Sequence, residues 1–145
     1  CRGVSRGRFS LVRPRAGDGL MQSAENLIEA VHLSAVKDRL VGELSHGQQR
    51  QLEIALALAG APRFILFDEP AAGLSPLERA ELIDILTAMP KHIGFIIIEH
   101  DMDVALRVVE SVTMLHNGRI FKEGPPEAIE SDAEVQELYL GGGHG

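Results

Sequence analysis

The chain has 145 residues, a net charge of −7 and 45% hydrophobic residues, which is one domain's worth of sequence with enough apolar content for a core. The acidic balance argues against a nucleic-acid-binding surface as the main function. No apolar run approaches the ~18 residues of a membrane-spanning helix. The single cysteine, Cys1, cannot form an internal disulfide and fits a reducing compartment.

Charge is unevenly spread. Arg2, Arg6, Arg8, Arg13 and Arg15 give the first fifteen residues +5 with no acid, leaving −12 on residues 16–145. This Gly- and Ser-rich stretch has no sustained apolar period, no initiator Met and no apolar signal core. Residues 1–19 are therefore expected to be a disordered or foreign leader without function.

From Ser23, Leu27, Ile28, Val31 and Leu33 are spaced for one apolar helix face, with Glu25, Asn26 and Glu29 on the other. A second helix should begin at Ser45, with Ser45 as N-cap and Gln48 closing a capping box. Leu52, Ala55, Leu56, Leu58 and Ala59 predict that it is largely buried, and Gly60 and Pro62 end it. Phe64-Ile65-Leu66-Phe67 reads as a strand covered on both faces. Another capping box follows, with Ser75 as cap, Pro76 at the first helical position and Glu78 three residues on. Phe95-Ile96-Ile97-Ile98 is a second apolar strand. Strand, crossover helix and strand predict a parallel pair.

Later, Val112–Leu115 and Ile120–Lys122 flank Asn117-Gly118, the dipeptide of a tight type I′ hairpin. Pro125 and Pro126 open a short helix, and Ser131 is expected to cap a last one carrying Val135, Leu138 and Leu140. Residues 141–145 read as a flexible tail.

Three groups carry chemistry. Ser45-His46-Gly47-Gln48 puts a hydroxyl, a glycine and an amide at a helix N-terminus, where unpaired backbone N–H groups favour phosphate; as a mere cap, Ser45 would contribute about 1 kcal/mol. Asp68 and Glu69 close the first strand at the carboxyl edge, where ligands bind in open α/β folds. One carboxylate there can hold Mg²⁺ and the next can orient and deprotonate water. His100 follows the second strand, and an imidazole can stabilise phosphoryl charge.

These motifs in this order resemble the C-terminal half of an ATP-binding cassette (ABC) ATPase, a P-loop NTPase-like α/β fold. LSHGQ stands at the signature, FILFDEP at Walker B, Ala71-Ala72-Gly73-Leu74-Ser75 at the D-loop, and IIIEH at the switch-histidine loop. Within the superfamily, LSHGQQRQLEIALAL, DEPAAGLSP, EHDM and EGPPEAIESDAEVQELYLG are most similar to the branched-chain amino acid importer subgroup, with urea and lipopolysaccharide systems close by. The resemblance implies that Ser45, Gly47 and Gln48 contact the γ-phosphate of ATP on an opposite ATPase subunit. It also implies that Asp68 organises Mg²⁺, that Glu69 is the general base and that His100 senses the γ-phosphate. Implied partners are a second cassette, membrane permease subunits and, indirectly, a substrate-binding protein, at the cytoplasmic face of the inner membrane.

The implied division is a partial ABC ATPase domain over 20–140. It comprises a helical subdomain and signature helix over about 20–60, a Walker B to switch-histidine core over 61–110, and a C-terminal hairpin with helices over 111–140. Two positions depart from the family pattern. His46 replaces the commoner glycine, with a side chain expected to point away, and Ser75 stands where many cassettes have a D-loop Asp and is better explained as a cap. The 145 residues contain no G-x-x-x-x-G-K-[ST] loop. The chain alone is therefore expected to bind MgATP weakly and hydrolyse it negligibly. The alternatives are a non-catalytic module lending its signature helix to a partner cassette, and a DNA-repair cassette. The latter is disfavoured by the absence of long coiled coils and zinc-binding cysteines.

Overall fold

The computed structural model describes residues 19–140. The expected leader, apart from Gly19, and the expected tail lie outside them. The chain divides into two compact units, one ending at Ile98 and the other beginning at Glu99.

In the first unit, helix α1 spans Gly19–Ala30 and so begins before Ser23. Ser23 is an internal residue whose hydroxyl donates to the Gly19 carbonyl oxygen one turn back, at 2.7 Å. The helix ends in a Schellman motif. The Leu33 N–H reaches the Ile28 carbonyl at 2.9 Å, the His32 N–H reaches that of Glu29 at 3.0 Å, and His32 takes φ 60°. The reversal places Val31 and Leu33 in the core although both lie beyond the last helical residue.

Helix α2, His46–Ala59, opens with the expected reciprocal box. The Ser45 hydroxyl accepts from the Gln48 N–H at 3.2 Å, and Gln48 Oε1 accepts from the Ser45 N–H at 3.0 Å. Its buried stripe is Gly47, Gln51, Ile54 and Ala55, which share one helix face. Of the residues expected to be buried, Ala55 is; Leu52, Leu58 and Ala59 are half-buried, and Leu56 is 53% exposed because it lies off that face.

Strands β1 (Phe64–Asp68) and β2 (Gly94–Ile98) pair in parallel, as the crossover pattern predicts, in register from Phe64 opposite Gly94 to Asp68 opposite Ile98. Helix α3, Pro76–Thr87, connects them and carries the second capping box. One sheet face is apolar and covered, with Ile65 and Phe67 buried and the rings of Phe67 and Phe95 edge-to-face at 6.0 Å between centroids. The expectation of cover on both faces is corrected. Phe64, Leu66, Ile96 and Ile98 share the opposite face and are all more than half exposed, because alternate residues of a strand point to opposite sides and the described residues bury only one.

In the second unit, helix α4 (Met102–Val108) is capped by Asp101, whose Oδ1 accepts from the N–H groups of Asp103 and Val104 at 3.1 and 3.3 Å. Strands β3 (Val112–His116) and β4 (Arg119–Gly124) form an antiparallel hairpin. Asn117 and Gly118 both have positive φ, 50° and 73°, as a type I′ turn requires. Helices α5 (Pro126–Glu130) and α6 (Ala133–Leu140) complete the unit around Met114, Ile129 and Val135.

The cap of α6 is Asp132 and not Ser131. Asp132 Oδ1 accepts from the N–H groups of Glu134 and Val135 at 3.0 and 3.1 Å. The Ser131 hydroxyl instead donates to the Glu127 carbonyl oxygen at 2.7 Å and closes α5. A carboxylate suits the position better, because it also meets the positive end of the helix dipole. Among the described residues, no helix is long and apolar enough to cross a membrane.

Candidate functional site

The N-terminus of α2 converges on one carboxylate, Glu78 of α3. Its Oε1 accepts from the Gly47 N–H at 3.1 Å and from the Ser45 hydroxyl at 3.2 Å. Its Oε2 accepts from the Ser75 N–H at 3.0 Å and the Ser75 hydroxyl at 2.8 Å. One side chain therefore caps its own helix and meets the start of another. These donors, the Ser75 N–H and hydroxyl foremost and Gly47 and Ser45 after them, hold the Glu78 carboxyl down at about 2 from an ordinary 4.5. Position 47 is tight: a Cβ built there meets the Glu78 side chain, which would have to move to admit it.

One turn further along both helices, Gln51 Nε2 donates to Glu81 Oε2 at 2.8 Å. Gln51 is 4% exposed, the one buried polar side chain found among the described residues. Glu78 and Glu81 thus clamp α2 to α3 at two points. His46 stays exposed and reaches the segment that follows β1. Its Nε2 lies 3.3 Å from the Ala72 carbonyl oxygen, which takes a hydrogen bond when Nε2 carries the proton. Ser75 acts as the cap of α3, as the sequence suggests.

Asp68 and Glu69 lie at the carboxyl end of β1, and both are exposed. The two strands end level, because Asp68 pairs with Ile98 and the Glu69 N–H donates to the Ile98 carbonyl oxygen at 2.8 Å. Glu69 is held at φ 44°, a left-handed conformation that costs a non-glycine residue about 1–2 kcal/mol. Strain of this kind collects at functional positions. His100 is exposed, lies two residues past β2 and belongs to the second unit.

The structure thus brings Ser45, Gly47 and Gln48 together at one helix start and sets Asp68 beside Glu69 at one strand end. The Gln48 side chain is engaged by its own capping box. The sequence reading missed Glu78 and Glu81 as partners of α2. Glu78 is legible as a capping residue, but a contact spanning 31 residues leaves no local pattern.

A level parallel pair whose carboxyl edge bears acids, beside a glycine-containing helix N-terminus, is the kind of edge at which open α/β folds bind ligands. Comparison with known proteins narrows the class. The ABC transporter family model matches residues 11–72, beginning within the stretch read as a leader. The lipopolysaccharide export system ATP-binding protein LptB of Acidithiobacillus ferridurans is 38% identical over 118 residues, covering 81% of this chain and 49% of that protein. The branched-chain amino acid transport ATP-binding protein BraF of Pseudomonas aeruginosa is 34% identical over 123 residues, covering 83% and 48%. The solved ADP conformation of MJ1267, an ATP-binding cassette of an ABC transporter, superposes with a TM-score of 0.73 at 32% identity, covering 94% of this chain and 55% of that one. The chain carries part of an ABC ATP-binding domain and has the P-loop NTPase fold of those cassettes. It spans about half the length of the relatives it matches.

Proposed function

We propose that these residues supply the signature and Walker B half of the ATP-hydrolysing subunit of an ABC importer, with branched-chain amino acids as the substrate class. The observation that supports this best is the N-terminus of α2, where the Gly47 N–H and the Ser45 hydroxyl already hold an anionic oxygen. A γ-phosphate oxygen asks for the same donors. In this reading Ser45, Gly47 and Gln48 face ATP carried by an opposite subunit. Asp68 holds Mg²⁺ together with phosphate oxygens, a donor set that suits an ion usually bound by one or two carboxylates and its substrate. Glu69 orients and deprotonates the attacking water, and His100 donates to the γ-phosphate. The partners are a second cassette and the permease, with the subunit peripheral at the cytoplasmic face of the inner membrane.

Lipopolysaccharide export is the second reading, favoured by the 38% identity to LptB against 34% to BraF. A urea system is a further alternative, and a non-catalytic module that lends its signature helix is another.

The test is a hybrid in which the first half of BraF precedes residues 19–140. It should hydrolyse MgATP, while the 145-residue chain alone does so negligibly. Glu69→Gln should lower the hybrid's turnover about 10²–10⁴-fold, the usual contribution of a general base. Unchanged turnover would remove Glu69 from the chemistry and favour the signature-lending module.

A further inference from the structure

We infer that Glu78 is a positioning residue that occupies, with its own carboxylate, the place at the start of α2 that phosphate must enter. The inference rests on the proposed phosphate-facing role of Ser45 and Gly47. The geometry is specific. Both donors that would greet a phosphate oxygen, the Gly47 N–H and the Ser45 hydroxyl, point at one oxygen of Glu78, at 3.1 and 3.2 Å. The second oxygen is anchored by the N–H and hydroxyl of Ser75, so the side chain is held from behind. Both donors are already taken by that one oxygen, and the Glu78 side chain stands so close to α2 that a Cβ built on Gly47 would meet it.

A phosphate entering here must displace Glu78 from α2, and two like charges at that distance repel. Glu78 need not leave its own helix to allow this, because Ser75 alone can retain it. The Gln51–Glu81 hydrogen bond one turn away keeps α2 and α3 together during the exchange. Ser75, at the end of the segment after Walker B, is thereby linked through one side chain to the phosphate-facing end of the signature helix. The closed arrangement satisfies Gly47 and Ser45 while phosphate is absent, and the exchange sets how readily the helix accepts it.

The test uses the full chain and inorganic phosphate, followed at the Gly47 amide by nitrogen-15 NMR. Glu78→Gln removes the charge yet keeps the capping box, because glutamine serves at that position as well as glutamate. The variant should therefore fold, and its phosphate affinity at Gly47 should rise about tenfold, the effect of removing one competing anion from a helix N-terminus. Glu81→Gln, which loosens the same interface without touching the start of α2, should leave phosphate affinity unchanged.

Equal affinity in wild type and Glu78→Gln, or no phosphate response in either, would overturn the inference. An equal gain in Glu81→Gln would overturn it too, by tracing the gain to looser packing. The functional reading fails separately. A Glu78→Gln gain in phosphate binding, with a BraF hybrid that never hydrolyses MgATP, would preserve the exchange and remove the ATPase role.

Discussion

The two places proposed to meet phosphate chemistry are built in opposite ways. At the start of α2 the backbone is relaxed and the donors are engaged: Ser45, Gly47 and Gln48 all have partners, and Glu78 fills the space between two helix starts. At the end of β1 the carboxylates of Asp68 and Glu69 are exposed, and the backbone at Glu69 is forced to positive φ. The contrast fits the tasks proposed for them. A phosphate cradle works by presenting donors in fixed directions, so it gains from a rigid cap. A general base must aim one carboxylate at a water, and the turn that aims it stores strain.

Four outcomes would break or sharpen this contrast. The largest is the loss of about 10²–10⁴-fold in turnover for Glu69→Gln in the BraF hybrid, which is kinetic and should leave the urea midpoint unmoved. Next is Gly47→Ala. Displacing Glu78 forfeits its charge-assisted hydrogen bonds to the Gly47 N–H and the Ser45 hydroxyl. Replacing glycine in a helix returns about 0.5–1 kcal/mol. The first effect wins, and urea unfolding should show a lower midpoint for the variant.

Glu69→Gly should act in the other direction. Relief of left-handed strain outweighs the added freedom of the unfolded chain, for a gain of about 0.5 kcal/mol together with loss of the base. Stabilisation with loss of activity would mark the end of β1 as strained for function. A loss of stability would show that the Glu69 side chain is structural.

The smallest effect concerns pH. The folded carboxyl of Glu78 lies at about 2, below its ordinary 4.5. Its contribution is therefore fully present above about 4.5 and is lost as pH falls towards 2. Glu78→Gln should flatten that acid limb in the 19–98 unit. The second unit has its own ion trio, Lys122 with Asp132 at 2.9 Å and Glu134 at 2.8 Å. Hydrogen bonding to Lys122 lowers Asp132, and bonding to Glu134 and then Asp132 raises Lys122. That unit should therefore weaken both as pH falls below the ordinary Asp value of 3.8 and as it rises past the ordinary Lys value of 10.5. The groups are solvent-screened, so both changes should be small in unfolding curves followed against pH.

The sequence made legible whatever depends on neighbours in the chain. Ser45 with Gln48, Ser75 with Glu78 and Asn117 with Gly118 each announced a helix start or a turn, because capping and type I′ geometry are satisfied within a few residues. The parallel pairing of β1 and β2 followed from the crossover rule. What depends on distant partners was not legible. Leu56 is apolar yet exposed, since the covered face of α2 is chosen by what lies against it. Gln51 is buried against Glu81, thirty residues on, and no local pattern announces that partner. The C-terminal cap was misplaced by one residue because Ser131 and Asp132 are both good caps locally, and closure of the preceding helix claims the serine.

The most direct measurement is turnover in trans. A BraF cassette with an intact phosphate-binding loop but an arginine in place of its signature serine is mixed with this chain, and phosphate release is followed. Restored MgATP hydrolysis that is lost with Gly47→Ala and indifferent to Glu69→Gln is the predicted result, since this chain would then contribute only the start of α2 to ATP held by its partner. No restoration, or restoration that survives Gly47→Ala, would contradict the phosphate-facing role of Ser45 and Gly47.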